Sequence, residues 1–151
     1  MIKGVFPGSF DPFTKGHEAI VEKSLPFLEK LYIAIGQNSK KNALFSLEKR
    51  IEHIQSLFKD NTKIEIIEYQ GLTSSLCSEL NANYIIRGLR NSLDFEYEKS
   101  IAHMNTSLSK VETIFLLSDP EHLAVNSSIV REIYMNGGDI SNFVTSSNLL
   151  A

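Results

Sequence analysis

A doubly wound α/β fold follows from three features of this sequence. Short apolar runs end at glycine or other turn residues, longer segments carry apolar residues at helical spacing, and the two alternate along all 151 residues. Alternation of this kind pairs strands in parallel through right-handed crossovers. The expected architecture is a Rossmann-like, five-stranded parallel sheet with helices on both faces, forming one domain over residues 1–151. Loops at the carboxyl ends of such strands collect in one crevice, where ligands bind.

Ile2 to Phe6 reads as the first strand, stopped by Pro7, which lacks a backbone donor, and by Gly8. Lys15 to Lys30 follows as a helix, with Ile20, Val21, Ser24, Leu25 and Leu28 on one side and Pro26 bending its second half. Strand, glycine turn and helix start together predict an anion site at the helix N-terminus. Leu31 to Ile35 is a strand buried on both faces, followed by the polar loop Gln37 to Ala43 with Lys40 and Lys41.

Ser46 caps a helix whose Leu47, Ile51, Ile54 and Phe58 form an apolar stripe, with Arg50 and His53 placed on the surface beside it. Lys63 to Tyr69 is the third strand, and Gly71 turns the chain into a helix carrying Leu72, Leu76, Cys77 and Leu80. Ala82 to Ile86 is the fourth strand, running into Arg87–Arg90. A long helix then sets Tyr97, Ile101, Met104 and Leu108 on one side. Glu112 to Leu117 is the fifth strand; Ser118 to Asn126 forms a loop, and Ser127 to Met135 a last helix stopped by Gly137 and Gly138.

Composition narrows the function classes. With 42% hydrophobic and 22% charged residues the chain is an ordinary globular one, and no apolar run has the length of a membrane span. A net charge of −3 argues against nucleic acid as a partner, so phosphate binding must rest on local cations, with Lys40/Lys41 and Arg87/Arg90 the candidates. The single cysteine, Cys77, cannot form an internal disulfide, and a cytoplasmic location is expected. His17 follows Gly16 at a helix start, where it is placed to donate to a phosphate rather than to pack. Guanidinium forks at Arg87 and Arg90 suit the same ligand. Neither the Walker pattern nor G-x-G-x-x-G is present.

The run G-S-F-D-P-F-T-K-G-H from Gly8 to His17 resembles the first signature of the nucleotidyltransferases with a T/H-x-G-H motif. Three further segments point within that superfamily to the bacterial phosphopantetheine adenylyltransferases. They are N-x-K-K-x-x-L-F-S-L-E-x-R from Asn38, R-G-L-R-N-S-L-D-F-E-Y-E-K-S-I-A-H-M-N from Arg87, and G-G-D-I-S-N-F-V from Gly137. The resemblance implies transfer of the adenylyl group of ATP to 4′-phosphopantetheine, with Mg2+ required, in a homohexamer. It assigns Ser9 to both ATP and the acceptor phosphate, and Phe10 and His17 to ATP. Lys41, beside Lys40, falls to the acceptor phosphate, as do Thr73 and Arg87 to the acceptor. Gly88, Leu89, Arg90 and Glu98 fall to the nucleotide, together with His122, Leu123, Ala124, Val125, Asn126, Ser127 and Ser128. His17, Lys41 and Arg90 are the catalytic candidates, and no metal ligand is assigned. The family has a serine run where this chain has Asn126, which also suits a helix N-cap. Two alternatives share parts of the pattern: a sister enzyme such as a nicotinamide mononucleotide adenylyltransferase, and a nucleotide-binding module without turnover.

Overall fold

The computed structural model describes residues 1–37 and 42–151. Five strands, β1 (Lys3–Gly8), β2 (Lys30–Gly36), β3 (Ile64–Tyr69), β4 (Tyr84–Leu89) and β5 (Glu112–Leu117), form one parallel sheet in the order β3-β2-β1-β4-β5. Between them run α1 (Lys15–Ser24), α2 (Leu47–Leu57), α3 (Thr73–Leu80) and α4 (Ser92–Ser109), and α5 (Ser127–Met135) follows β5. Strand order reverses at β1 and β4, so the crevice opens above their carboxyl ends.

Neighbouring strand residues point to opposite faces, and this builds two cores. Phe6, Ile33 and Ile86 pack with Ile20 and Val21 of α1 and Ile54 of α2. Their neighbours Val5, Ala34 and Ile85 pack on the other face against Leu76 and Cys77 of α3. Each fully buried Ile or Val contributes about 1.5–3 kcal/mol of transfer free energy. A third cluster, Phe45, Val130, Ile140, Val144 and Leu150, seats the C-terminal segment against α2 and α5.

Several expectations need correction. The first helix ends at Ser24 rather than Lys30, because Pro26 offers no N–H and Leu25–Phe27 tightens into a 3-10 turn. β4 runs on past Ile86 to Leu89, since Arg87, Gly88 and Leu89 pair with Phe115, Leu116 and Leu117. Leu72 precedes α3 and is exposed. Arg50 and His53 are buried, not on the surface. The C-terminal segment covers that side of α2, and His53 Nε2 donates to the Thr145 carbonyl at 2.7 Å.

The apolar side of α4 does not face the sheet. Tyr97 is 70% and Met104 62% exposed, and Ile101 and Leu108 are exposed too. Asp94, Glu98, Ala102 and Asn105 occupy the adjoining, inward side, and Ile101 lies at the border between the two. Those residues meet the arginines of β4 and its exit, so the site has claimed the face that a core would otherwise use.

Candidate active site

β1 delivers the chain into a turn that α1 then fixes. Gly8 is required there because a Cβ would lie 2.9 Å from the Phe10 ring, and Phe10 itself sits at φ 47°. Thr14 caps α1: its Oγ1 accepts from the His17 amide at 3.4 Å, while His17 Nδ1 accepts from the Thr14 amide at 2.9 Å. This is a capping box with histidine at the position usually held by glutamate. An accepting Nδ1 leaves the proton of the neutral ring on Nε2. Phe6, Phe10 and Phe13 surround the imidazole with centroids 5.1–6.1 Å away, which fixes its plane.

Most of the α1 N-terminus is spoken for, contrary to the simple reading of it as an anion site. Lys15 N donates to the Phe143 carbonyl at 2.8 Å, and the His17 and Glu18 amides go to Thr14. Gly16 keeps the first-turn amide without a partner among the described residues.

Burial lowers the His17 pKa to about 3, with the charges of Arg87 and Arg90 acting in the same direction. The ring is therefore a neutral donor at physiological pH and a poor base. Nitrogen NMR should show Nε2 protonated and Nδ1 bare from about pH 5 to 8; a titration in that window would contradict this tautomer. The unfolded imidazole titrates near 6.5 and the folded one near 3, so below 6.5 the unfolded chain takes up a proton that the folded chain refuses. Stability from this group is complete above 6.5 and falls as pH drops toward 3. Burial lowers the His53 pKa as well, adding to the acid slope. Thermal unfolding should thus move to lower temperature on acidification, less steeply in His17→Gln.

Each arginine at β4 is tied to a carboxylate of α4. Arg87 Nε and Nη2 meet Glu98 Oε2 and Oε1 at 3.0 and 2.6 Å, and Nη1 donates to the Pro7 carbonyl at 2.6 Å. Arg90 Nε and Nη2 meet Asp94 at 3.0 and 3.1 Å, and the Arg90 amide joins them at 2.9 Å. Burial works to raise the Asp94 pKa, but the hydrogen bonds and charge of Arg90 outweigh it and hold the group below the usual carboxylate range. Glu98, matched by resemblance to a nucleotide contact, spends both oxygens on Arg87. It orients the guanidinium fork.

Above the fork stands α5. Asn126 takes the N-cap, its Oδ1 accepting from the Ile129 amide at 2.9 Å, and Ser127 Oγ donates to the Pro12 carbonyl. The Ser127 and Ser128 amides keep no partner among the described residues, so this helix has two open first-turn amides where α1 has one. Arg131, absent from the expected site residues, donates to the Asp11 carbonyl at 2.9 Å and to Ser128 Oγ at 3.1 Å. Its signal was present: three residues after Ser128, it returns to the helix start.

These parts enclose a cavity of about 250 Å³. Ser9, Phe10, His17, Arg87, Gly88 and Arg90 line it, joined by Glu98, His122, Val125, Asn126 and Ser127. Leu89, Leu123, Ala124 and Ser128 do not: Leu89 is buried, and the other three are exposed. Thr73 lines a neighbouring cavity of about 170 Å³ with Ile85, Ile101, Ala102 and Asn105. Gly8, Arg87 and Glu98 border both cavities. Lys41 and Lys40 lie outside the described residues. Among the described residues, Asp119, Glu121 and His122 are close enough to share a cation, but only His122 lines the larger cavity, and Asp119 is bound to Lys23 at 2.7 Å.

The Cytidylyltransferase-like family model matches residues 5–133. A phosphopantetheine adenylyltransferase of Flavobacterium psychrophilum is 51% identical over 144 residues, covering 95% of each chain. The chain belongs to the phosphopantetheine adenylyltransferase family. The Bacteroides thetaiotaomicron member is 46% identical, again over 95% of both chains. The Leptospira biflexa member is 46% identical over 93% of this chain and 88% of its own. A crystal structure of a bifunctional NMN adenylyltransferase/ADP ribose pyrophosphatase from Francisella tularensis superposes with a TM-score of 0.70 over 98% of this chain at 20% identity. This chain spans 48% of that protein, and the likeness is one of fold. No helix among the described residues is long and apolar enough to cross a membrane.

Proposed function

We propose that the chain, acting as one nucleotidyltransferase domain over residues 1–151, transfers the adenylyl group of ATP to 4′-phosphopantetheine, releasing pyrophosphate and dephospho-coenzyme A. The observation that carries this reading is the pair of cavities joined at Arg87, set in a chain about half identical to named phosphopantetheine adenylyltransferases. The larger, polar cavity suits the nucleotide and its phosphates. The smaller one, bounded by Ile85, Ile101 and Ala102 with Thr73 and Asn105, suits a slender amide-containing acceptor whose phosphate ends at Arg87.

An oxygen of the acceptor phosphate attacks the α-phosphorus; that bond forms as the bridge to the β-phosphate breaks and pyrophosphate departs. The acceptor is already anionic at neutral pH, so no strong base is needed. His17 Nε2 donates to the phosphates, Arg90 faces the nucleotide, and the Ser127 amide at the start of α5 receives the departing oxygens. Ser9 lines the nucleotide cavity and is assigned to both ATP and the acceptor phosphate. Lys41 is assigned to the acceptor phosphate, and the segment from His122 to Ser128 to the rest of the nucleotide.

Family chemistry accommodates a divalent metal, and we assign Mg2+. Among the described residues lining the larger cavity, the carboxylates Asp94 and Glu98 are committed to arginines and would not hold the ion. It would supply charge neutralisation between the substrates.

The exposed apolar side of α4 supports assembly into a homohexamer, to be read as a six-chain mass by light scattering. A cytoplasmic location accords with the single buried Cys77, whose thiol burial pushes up to about 11. Mixing the protein with ATP, Mg2+ and 4′-phosphopantetheine should release pyrophosphate. Release with nicotinamide mononucleotide in place of the acceptor, or none with either, would overturn the assignment.

A further inference from the structure

The four arginines of the chain divide into two kinds. Arg87 and Arg90 each bind a carboxylate, whereas Arg50 and Arg131 have none within 4.0 Å among the described residues. Arg50 is nevertheless 7% exposed. A buried cation without a counter-charge costs stability, and an apolar side chain of similar volume would serve packing better. What the guanidinium does instead is geometric. Nη1 donates to the Ser9 carbonyl at 2.7 Å and Nε to the Phe45 carbonyl at 3.1 Å, joining the turn after β1 to the start of α2.

A second buried group closes the same brace. Asp11, 5% exposed, accepts from the Leu44 amide at 2.8 Å and the Phe45 amide at 2.9 Å. The turn is thus gripped on both sides of Phe10, the residue held at φ 47°. A non-glycine residue keeps that left-handed conformation only where its surroundings over-determine it. The outcome of the grip is the placement of Ser9, which lines three cavities, of about 250, 630 and 700 Å³, that meet at this residue.

We propose that Arg50 is a positioning residue for adenylyl transfer, holding the Ser9 carbonyl so that the left-handed Phe10 turn presents Ser9 to the nucleotide cavity of about 250 Å³. It acts through Ser9: although Arg50 also borders the cavity of about 700 Å³, its Nε and Nη1 are both given to backbone carbonyls. The inference deepens the function proposed above, and its test separates the two.

Arg50→Lys keeps the charge and the aliphatic stem, but a single ammonium cannot serve two carbonyls with fork geometry. The variant should lower kcat by about 10²-fold, the scale of a misplaced reacting group, with KM for ATP changed less than about threefold. In a Ser9→Ala background the same change should cost little, because the residue through which it acts is already gone. Additive losses, or a fall in thermal stability with kcat per folded site unchanged, would mean a purely structural role and overturn the proposal. Should Arg50→Lys fail to fold, Asp11→Asn, which keeps one of the two acceptors, enters the same cycle. If the wild-type chain transfers no adenylyl group, the proposed function fails, and the brace is judged by crystal structures of these variants. Displacement of the Ser9–Phe10 peptide supports it, and an unchanged turn refutes it.

Discussion

His17→Ala lowers kcat by roughly 10²–10³ while the chain stays folded, the range for removing one donor aimed at developing charge. The effect belongs to the transition state because the neutral ring offers one N–H at Nε2, its Nδ1 being held by the Thr14 amide at 2.9 Å. KM for ATP should move far less than kcat. Truncation also removes half of the capping box, and a lost cap costs about 0.5–2 kcal/mol. The fold should absorb this, since Thr14 and the Phe143 carbonyl still hold the start of α1. His17→Gln distinguishes the two roles, for an amide can accept from Thr14 and restore the cap without placing a donor where Nε2 stood. Turnover near that of wild type in the alanine variant would remove His17 from the mechanism.

Arg87→Ala raises KM for 4′-phosphopantetheine by about 10²-fold, the scale of a lost bidentate charge-assisted contact to phosphate. Arg87 borders both cavities, and its fork is set by Glu98 on one edge and the Pro7 carbonyl on the other. Removing it leaves Glu98, 8% exposed, as an uncompensated buried carboxylate beside two substrates rich in negative charge. Arg87→Lys should recover little, because an ammonium cannot meet both Glu98 oxygens and a phosphate with the geometry of a planar fork. Glu98→Gln should be milder, since the amide oxygen still accepts one bond. Steady-state kinetics with the acceptor varied at saturating ATP decides the matter. An effect confined to ATP would place Arg87 on the nucleotide.

Which side chains face the site was legible only in part. G-S-F-D-P-F-T-K-G-H and R-G-L-R announce themselves because each follows a short apolar run and carries residue types suited to phosphate. Glu98 was found by resemblance, but its work on Arg87 required seeing the two side chains meet across 11 residues. Arg50 was misplaced outright. Helical spacing sets it beside the apolar stripe of α2, and nothing local reveals that the carbonyl of Ser9, 41 residues earlier, would take its guanidinium. Tyr97 and Met104 mislead in the opposite sense: a helix with an apolar side ordinarily turns it inward, but the carboxylates on the other side of α4 are committed to Arg87 and Arg90.

The alternation of strands and helices, hence the parallel sheet, the crevice above β1 and β4, and the family can all be read from the order of the amino acids. These are properties of local period and of motifs read along the chain. Which nitrogen of His17 carries its proton, which carboxylate each arginine holds, and which amides remain open emerge only once the chain is folded. Those depend on distances between segments far apart in sequence, and a hydrogen bond is made or lost within a few tenths of an ångström.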